Sequence, residues 1–316
     1  MFVIIVNQIL KMLLLLLLGC LCFRMRLIDE NGSKVLANLL LMVVNPMLAI
    51  VSLQTEYSAH LAQGLLVAYL LAFLTHLVAA ILSTVLIRTT GNPDCGIDRF
   101  ASMYSNCGFI GIPLVQSILG NEGVLYLTAY MTVFNFFSWT HGIMIMTGTF
   151  SLKELKKGLL SPMIFASILG VVFFFGRIHI PYLLLDSMNY VAGMNTPLAM
   201  LIAGISVAQT DLLSMLRNQK LYLISASKLL LMPALLLVVL VLIPFDPMVG
   251  CTMLVASACP VAASGTAFAL RFHKNSLYAS ELYAFTTVTS LVTIPVAECR
   301  ARTVYLHSWR IGRRLR

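Results

Sequence analysis

Apolar runs of about 20 residues recur along the whole chain, and this recurrence constrains its fold more than any other feature. A helix needs about 20 apolar residues to cross the hydrocarbon core of a bilayer. Hydrophobic residues make up 59% of the 316 positions and charged residues 10%, against roughly 45–50% and about 25% in soluble domains. So little charge cannot cover so much apolar surface in water. The composition predicts an all-α polytopic membrane protein, because a helix bonds every backbone group within its own segment. The net charge of +9 does not point to nucleic acid, since most basic residues lie in short loops.

The runs predict ten transmembrane helices, at 3–23, 35–54, 62–87, 99–119, 123–148, 159–176, 188–209, 220–243, 248–270 and 278–297. Arg24, Arg26, Lys34, Arg88, Arg99, Lys153, Lys156, Lys157, Arg217, Lys220, Arg271 and Lys274 all follow odd-numbered spans. The loops after spans two, four, six and eight hold only Arg177. The positive-inside rule then makes the odd loops cytoplasmic and puts the N-terminus outside. The first run stops at Arg24-Met25-Arg26 and has no basic leader, so it reads as a spanning helix rather than a cleaved signal peptide.

The arginine-rich tail conflicts with this topology. Arg300, Arg302, Arg310, Arg313, Arg314 and Arg316 would face outward after ten crossings. Either the last span re-enters without crossing, or the final ~20 residues differ in origin from the rest of the chain. The expected organisation is a first five-helix repeat over 1–149, a Lys-rich cytoplasmic connector over 150–158, a second repeat over 159–298 and a basic tail over 299–316.

Two polar, proline-containing stretches interrupt the apolar pattern. One is Ser105-Asn106-Cys107-Gly108-Phe109-Ile110-Gly111-Ile112-Pro113; the other runs from Ala258-Cys259-Pro260 to Ser264-Gly265-Thr266. Asn45-Pro46 and Asn195-Thr196-Pro197 form a second matched pair at nearly the same sequence offset. Proline frees backbone groups that lipid cannot satisfy. Interrupted helices at corresponding places in two halves point to a transporter's binding site. With an odd number of spans per half, the two repeats must be inverted.

Asn106 supplies two donors and one acceptor without permanent charge. It precedes an opened helix end, which attracts anions. Gly108, Gly111 and Pro113 adjoin it, and Pro260 and Ser264 are their counterparts in the second half. The competing reading of these polar residues is interhelical packing. Asn45 and Asn195 either satisfy backbone groups freed by their prolines or face a substrate cavity. Lys228 lies near the middle of span eight as a candidate counter-charge for an anion, or else pairs with carbonyls freed by Pro233 or with a neighbouring span. Lys11 is expected to snorkel or pack, and His76 and His141 to be core histidines. The seven cysteines are scattered without metal-binding spacing. Every Asp and Glu falls in a loop or near a span end, which argues against a carboxylate-based proton or sodium antiporter. No HExxH, GxSxG or P-loop occurs, so no enzymatic role, cofactor or metal is expected.

At Asn45-Pro46, Ser105 to Leu114, Asn195-Thr196-Pro197-Leu198-Ala199 with Ala203-Gly204, and Cys259-Pro260 with Ala263-Ser264-Gly265, the chain resembles the auxin efflux carrier family, in particular its bacterial malate- or malonate-permease-like members. The resemblance runs to about Ala297. It implies two inverted five-helix repeats of the sodium/proton antiporter type, with broken helices four and nine crossing near their prolines. It implies a secondary carrier of carboxylates at that crossing, placed in the plasma membrane, and homodimers formed through spans one, two, six and seven. A sodium-coupled symporter and a non-transporting sensor of the same fold are the alternatives. The long central loop of the plant relatives is missing here, so auxin specificity does not carry over.

Overall fold

The computed structural model describes the backbone of residues 2–88, 91–149, 152–210, 212–243 and 245–314, and their side chains except at 2–5, 157, 212–214 and 296–314. Among these residues every regular element is helical, and the one β-type contact is an isolated bridge. Among the described residues, six helical runs are long and apolar enough to cross a membrane: Val6–Arg24, Glu30–Ser52, Ala59–Leu86, Cys107–Thr147, Tyr182–Ala208 and Gln219–Leu242. Pro162–Gly176 and Pro247–Ala258 are apolar but shorter. The tail arginines and Cys299 lie outside the described side chains.

The first run is α1 (Phe2–Arg24). The second comprises α2 (Glu30–Leu39), capped by the Asp29 carboxylate on the Gly32 N–H at 2.7 Å, a π-turn at Leu40–Val44, and α3 (Asn45–Ser52). The third is α4 (Ala59–Leu86), capped by Ser58. Next come α5 (Cys95–Met103), a π-turn at Cys107–Gly111 and α6 (Ile112–Phe137). Gly120, at φ 68°, turns the chain back inside α6, a backbone setting that glycine adopts without steric cost. After a π-turn at Ser138–Gly142 follow α7 (Ile143–Thr147) and α8 (Leu152–Leu159), the Lys-rich connector. The second half contains α9 (Pro162–Gly176), α10 (Tyr182–Gly193), α11 (Asn195–Ala208), α12 (Leu212–Arg217) and α13 (Gln219–Ala226). A π-turn at Ser227–Leu231 leads into α14 (Met232–Leu242), followed by α15 (Pro247–Ala258), α16 (Ser264–Arg271) and α17 (Ser276–Arg314).

Three of the π-turns share one cause. They end one residue before Asn45-Pro46, Ile112-Pro113 and Met232-Pro233. A proline ring clashes with the carbonyl four residues back and offers it no N–H. The chain widens by one residue, and Asn45, Ile112 and Met232 donate to carbonyls five residues back, at Leu40, Cys107 and Ser227. Each proline then sits in the first turn of the next helix, where its missing N–H costs nothing. The sequence pattern predicts Pro113 inside the interruption; the residue instead opens the restored helix.

The core is apolar and helix-on-helix. Its larger cluster includes Met12, Leu40, Val44, Leu65, Leu114, Leu127, Ala199 and Met253. α1 and α11 approach at backbone distance: Gly19 lies on the Leu201 carbonyl and Gly204 on that of Leu16, and a Cβ at either position would collide with that backbone. Cys20 Sγ donates to the Gly204 carbonyl at 3.0 Å across the same contact. Small residues permit such close packing where lipid offers no hydrophobic drive between helices. Leu14, Leu66, Ile81, Leu183 and Tyr190 are exposed, and a bilayer would cover them.

Candidate functional site where two interrupted helices meet

Between α5 and the following π-turn, Tyr104 (φ −91°, ψ 122°) and Asn106 (φ −78°, ψ 54°) leave helical geometry. Between α15 and α16, the chain extends at Cys259 (φ −60°, ψ 149°). The two interruptions face each other. Ser105 and Val261 form an antiparallel bridge: the Asn106 N–H donates to the Pro260 carbonyl at 2.7 Å, and the Ala262 N–H to the Tyr104 carbonyl at 3.0 Å. Each break thus supplies partners for backbone groups that the other frees, meeting the requirement that buried backbone groups be paired. The Val261 N–H goes to Thr286 Oγ1 of α17 at 3.2 Å. Gly111 packs closely between Cys107 and Cys259, where an added Cβ would lie 3.3 Å from the Cys259 sulfur.

Lys228 is brought to this bridge. It is 1% exposed, and its Nζ donates to Ser105 Oγ at 2.6 Å and to the Ser257 carbonyl at 2.8 Å. Ser105 Oγ also lies 3.4 Å from the Tyr130 hydroxyl. No carboxylate forms an ion pair with Lys228 among the described residues. Beside it opens an apolar cleft of about 60 Å³, lined by Leu71, Val78, Met103, Met232 and Leu236, with Tyr130 and Ser257 at its polar end.

Asn45 and Asn195 meet. Asn195 Nδ2 donates to Asn45 Oδ1 at 2.7 Å and to the Gly108 carbonyl at 3.3 Å, with both side chains buried. The second bond serves the backbone of the segment after the first break, which is a structural role. Pro113 lies beyond the break, and its carbonyl accepts from Gln8 Nε2 at 3.4 Å. The Ser264 hydroxyl, at the start of α16, has no protein partner among the described residues. Lys11 is exposed on α1. His76 Nδ1 lies 2.8 Å from the Ala72 carbonyl, and the ring packs on Tyr130 and Phe137. His141 Nδ1 lies 3.2 Å from the Tyr104 hydroxyl. The described cysteines are free thiols.

Sequence reasoning missed two features. Asp98, which the span boundaries put at a helix end, is 1% exposed inside α5. Its carboxylate accepts from the Tyr278 hydroxyl at 2.7 Å and Asn92 Nδ2 at 2.8 Å, and pairs with Lys220 at 3.2 Å. Tyr283, Thr286, Thr287 and Ser290 form a buried polar stripe on α17. Their spacing of three and four residues in an otherwise apolar span was the available signal.

The family model described as "Membrane transport protein" matches residues 4–154 and 146–297. An uncharacterized transporter of Methanocaldococcus jannaschii is 25% identical over 219 residues, covering 64% of this chain and 68% of that protein. Interrupted apolar helices, a buried ammonium at their meeting point and a family match over nearly the whole length agree, and the chain belongs to the auxin efflux carrier family of membrane transport proteins.

Proposed function

We propose that this protein is a secondary carrier of small organic anions, carboxylates in particular, working by alternating access at the bridge between the two interrupted helices. The observation that carries this reading is the Lys228 ammonium, buried on Ser105 and Ser257 without a carboxylate ion pair among the described residues. A buried charge without a counter-charge is costly, and a mobile anion supplies one. Asn106, one residue from Ser105, offers amide donors on the other side of the same bridge. We read the architecture as ten spans in two inverted five-helix repeats, with the N-terminus outside and α8 on the cytoplasmic side of the plasma membrane. The near-equal sequence offsets of Asn45 from Asn195 and of Pro113 from Pro260 support this reading, and so does the bond between Asn45 and Asn195. Gly108, Gly111, Pro113, Pro260 and Ser264 shape the site, while Asn45 and Asn195 hold it. A malate- or malonate-type substrate follows from the family resemblance.

Flux in proteoliposomes tests the assignment. Asn106→Ala should abolish carboxylate-driven uptake while the purified protein keeps its melting temperature within a few degrees. Unchanged uptake by that variant would refute the site.

A further inference from the structure

The bridge has two sides. Successive residues of an extended segment point in opposite directions. Ser105 turns to Lys228 and Ser257, and Asn106 turns to α17, where the Tyr283 hydroxyl is in loose polar contact with both Asn106 and Thr287. All three residues are deeply buried, at 5%, 3% and 1% exposure. Yet Asn106 Nδ2, Tyr283 Oη and Thr287 Oγ1 each lack a hydrogen bond of acceptable geometry within the protein. Buried polar groups are almost always well paired, so three groups joined only by loose contacts, none with a hydrogen bond of good geometry, are a feature to be explained.

Thr287 sharpens the point. Helical Ser and Thr hydroxyls ordinarily bond back to a carbonyl one turn earlier. Thr286, Thr289 and Ser290 do so, at 2.7 Å each, to Leu282, Phe285 and Thr287. Thr287, in the same stretch of the same helix, does not. The register of this stripe is fixed, because Thr286 accepts the Val261 N–H and docks α17 onto the second break. The Asn106 backbone is fixed as well, by its bond to Pro260.

We infer that Tyr283 and Thr287 complete, with Asn106, a donor pocket that takes the carboxylate group of the transported anion from the α17 side of the bridge. All three groups can donate, and the amide nitrogen cannot accept. That combination suits an oxyanion, whose two oxygens accept several hydrogen bonds, and disfavours a metal cation. The inference rests on the carboxylate-carrier reading and adds the residues of α17 that hold the substrate.

Melting temperature in detergent, with and without 50 mM acetate or malonate, tests it on wild type, Asn106→Ala, Tyr283→Phe and Thr287→Val. The expected result is stabilisation of wild type by at least one of the two acids. Tyr283→Phe and Thr287→Val should melt no lower than wild type without ligand, and should lose most of the ligand-induced shift. A ligand shift retained in both variants, with Asn106→Ala losing it, would overturn the pocket and leave the carrier reading standing. A marked drop in the ligand-free melting temperature of both would also overturn it, since the hydroxyls would then be bonded structural groups. No shift in wild type with either acid would overturn both readings together.

Discussion

α17 carries two buried tyrosines, five positions apart, in opposite circumstances. The Tyr278 hydroxyl is bonded to the buried Asp98 carboxylate at 2.7 Å, in a cluster completed by Asn92 and Lys220. The Tyr283 hydroxyl touches Asn106 and Thr287, and none of these three groups makes a hydrogen bond of good geometry among the described residues. The first cluster joins α5, α13 and α17 through groups that satisfy one another. The second lies where two interrupted helices meet, and it leaves donors open. A polar cluster that closes on itself serves the fold; one left open is suited to a ligand, because an unmade buried hydrogen bond is costly until a partner arrives.

The largest effect is expected on the other side of the bridge, at Lys228. Lys228→Met should weaken carboxylate binding about 10- to 100-fold, as expected for losing a charged hydrogen-bond donor. The fold should survive, because Ser105 Oγ can still donate to the Ser257 carbonyl, 3.4 Å away. Isothermal titration against wild type reads the effect, and unchanged affinity would place the ammonium outside the site. Next in size is Tyr278→Phe, which leaves the buried Asp98 carboxylate one donor short. It should destabilise by about 1.5–3 kcal/mol, whereas Tyr283→Phe should not destabilise. Equal losses at both tyrosines in denaturant or thermal unfolding would erase the distinction. The smallest effect is expected at Thr286→Val, which deprives the Val261 N–H of its acceptor. A loss of about 1–2 kcal/mol should appear there, with ligand affinity changed less than by Lys228→Met.

Parts of this arrangement are legible in the residues themselves. Pro46, Pro113 and Pro233 each imply a local disturbance of the helix, and the π-turns preceding them follow from the geometry of one imino acid. Asn106 and Pro260 stand out as exceptional, because polar residues beside prolines are rare in apolar runs. The position of the break is not legible. Gly108 and Gly111 suggest an opening that runs on to Pro113, but the chain leaves helical geometry at Tyr104 to Asn106 and is helical again by Cys107. The second interruption supplies the partners that fix this boundary, at Pro260 and Ala262.

Sequence alone determined the class of protein, the places where helices must be disturbed and the kinds of group available there. Those properties follow from local chemistry: apolar length, missing N–H groups and side-chain donors. The tertiary structure decided which groups meet. It joined Asn45 to Asn195, set Lys228 on Ser105, buried Asp98 beneath Tyr278 and set Tyr283 against Asn106 and Thr287. In a bundle of helices apolar on nearly every face, hydrophobic periodicity does not say which side of a helix looks inward. That direction is set by the packing of neighbouring helices, and with it the difference between a polar group that holds the fold and one left open for a substrate.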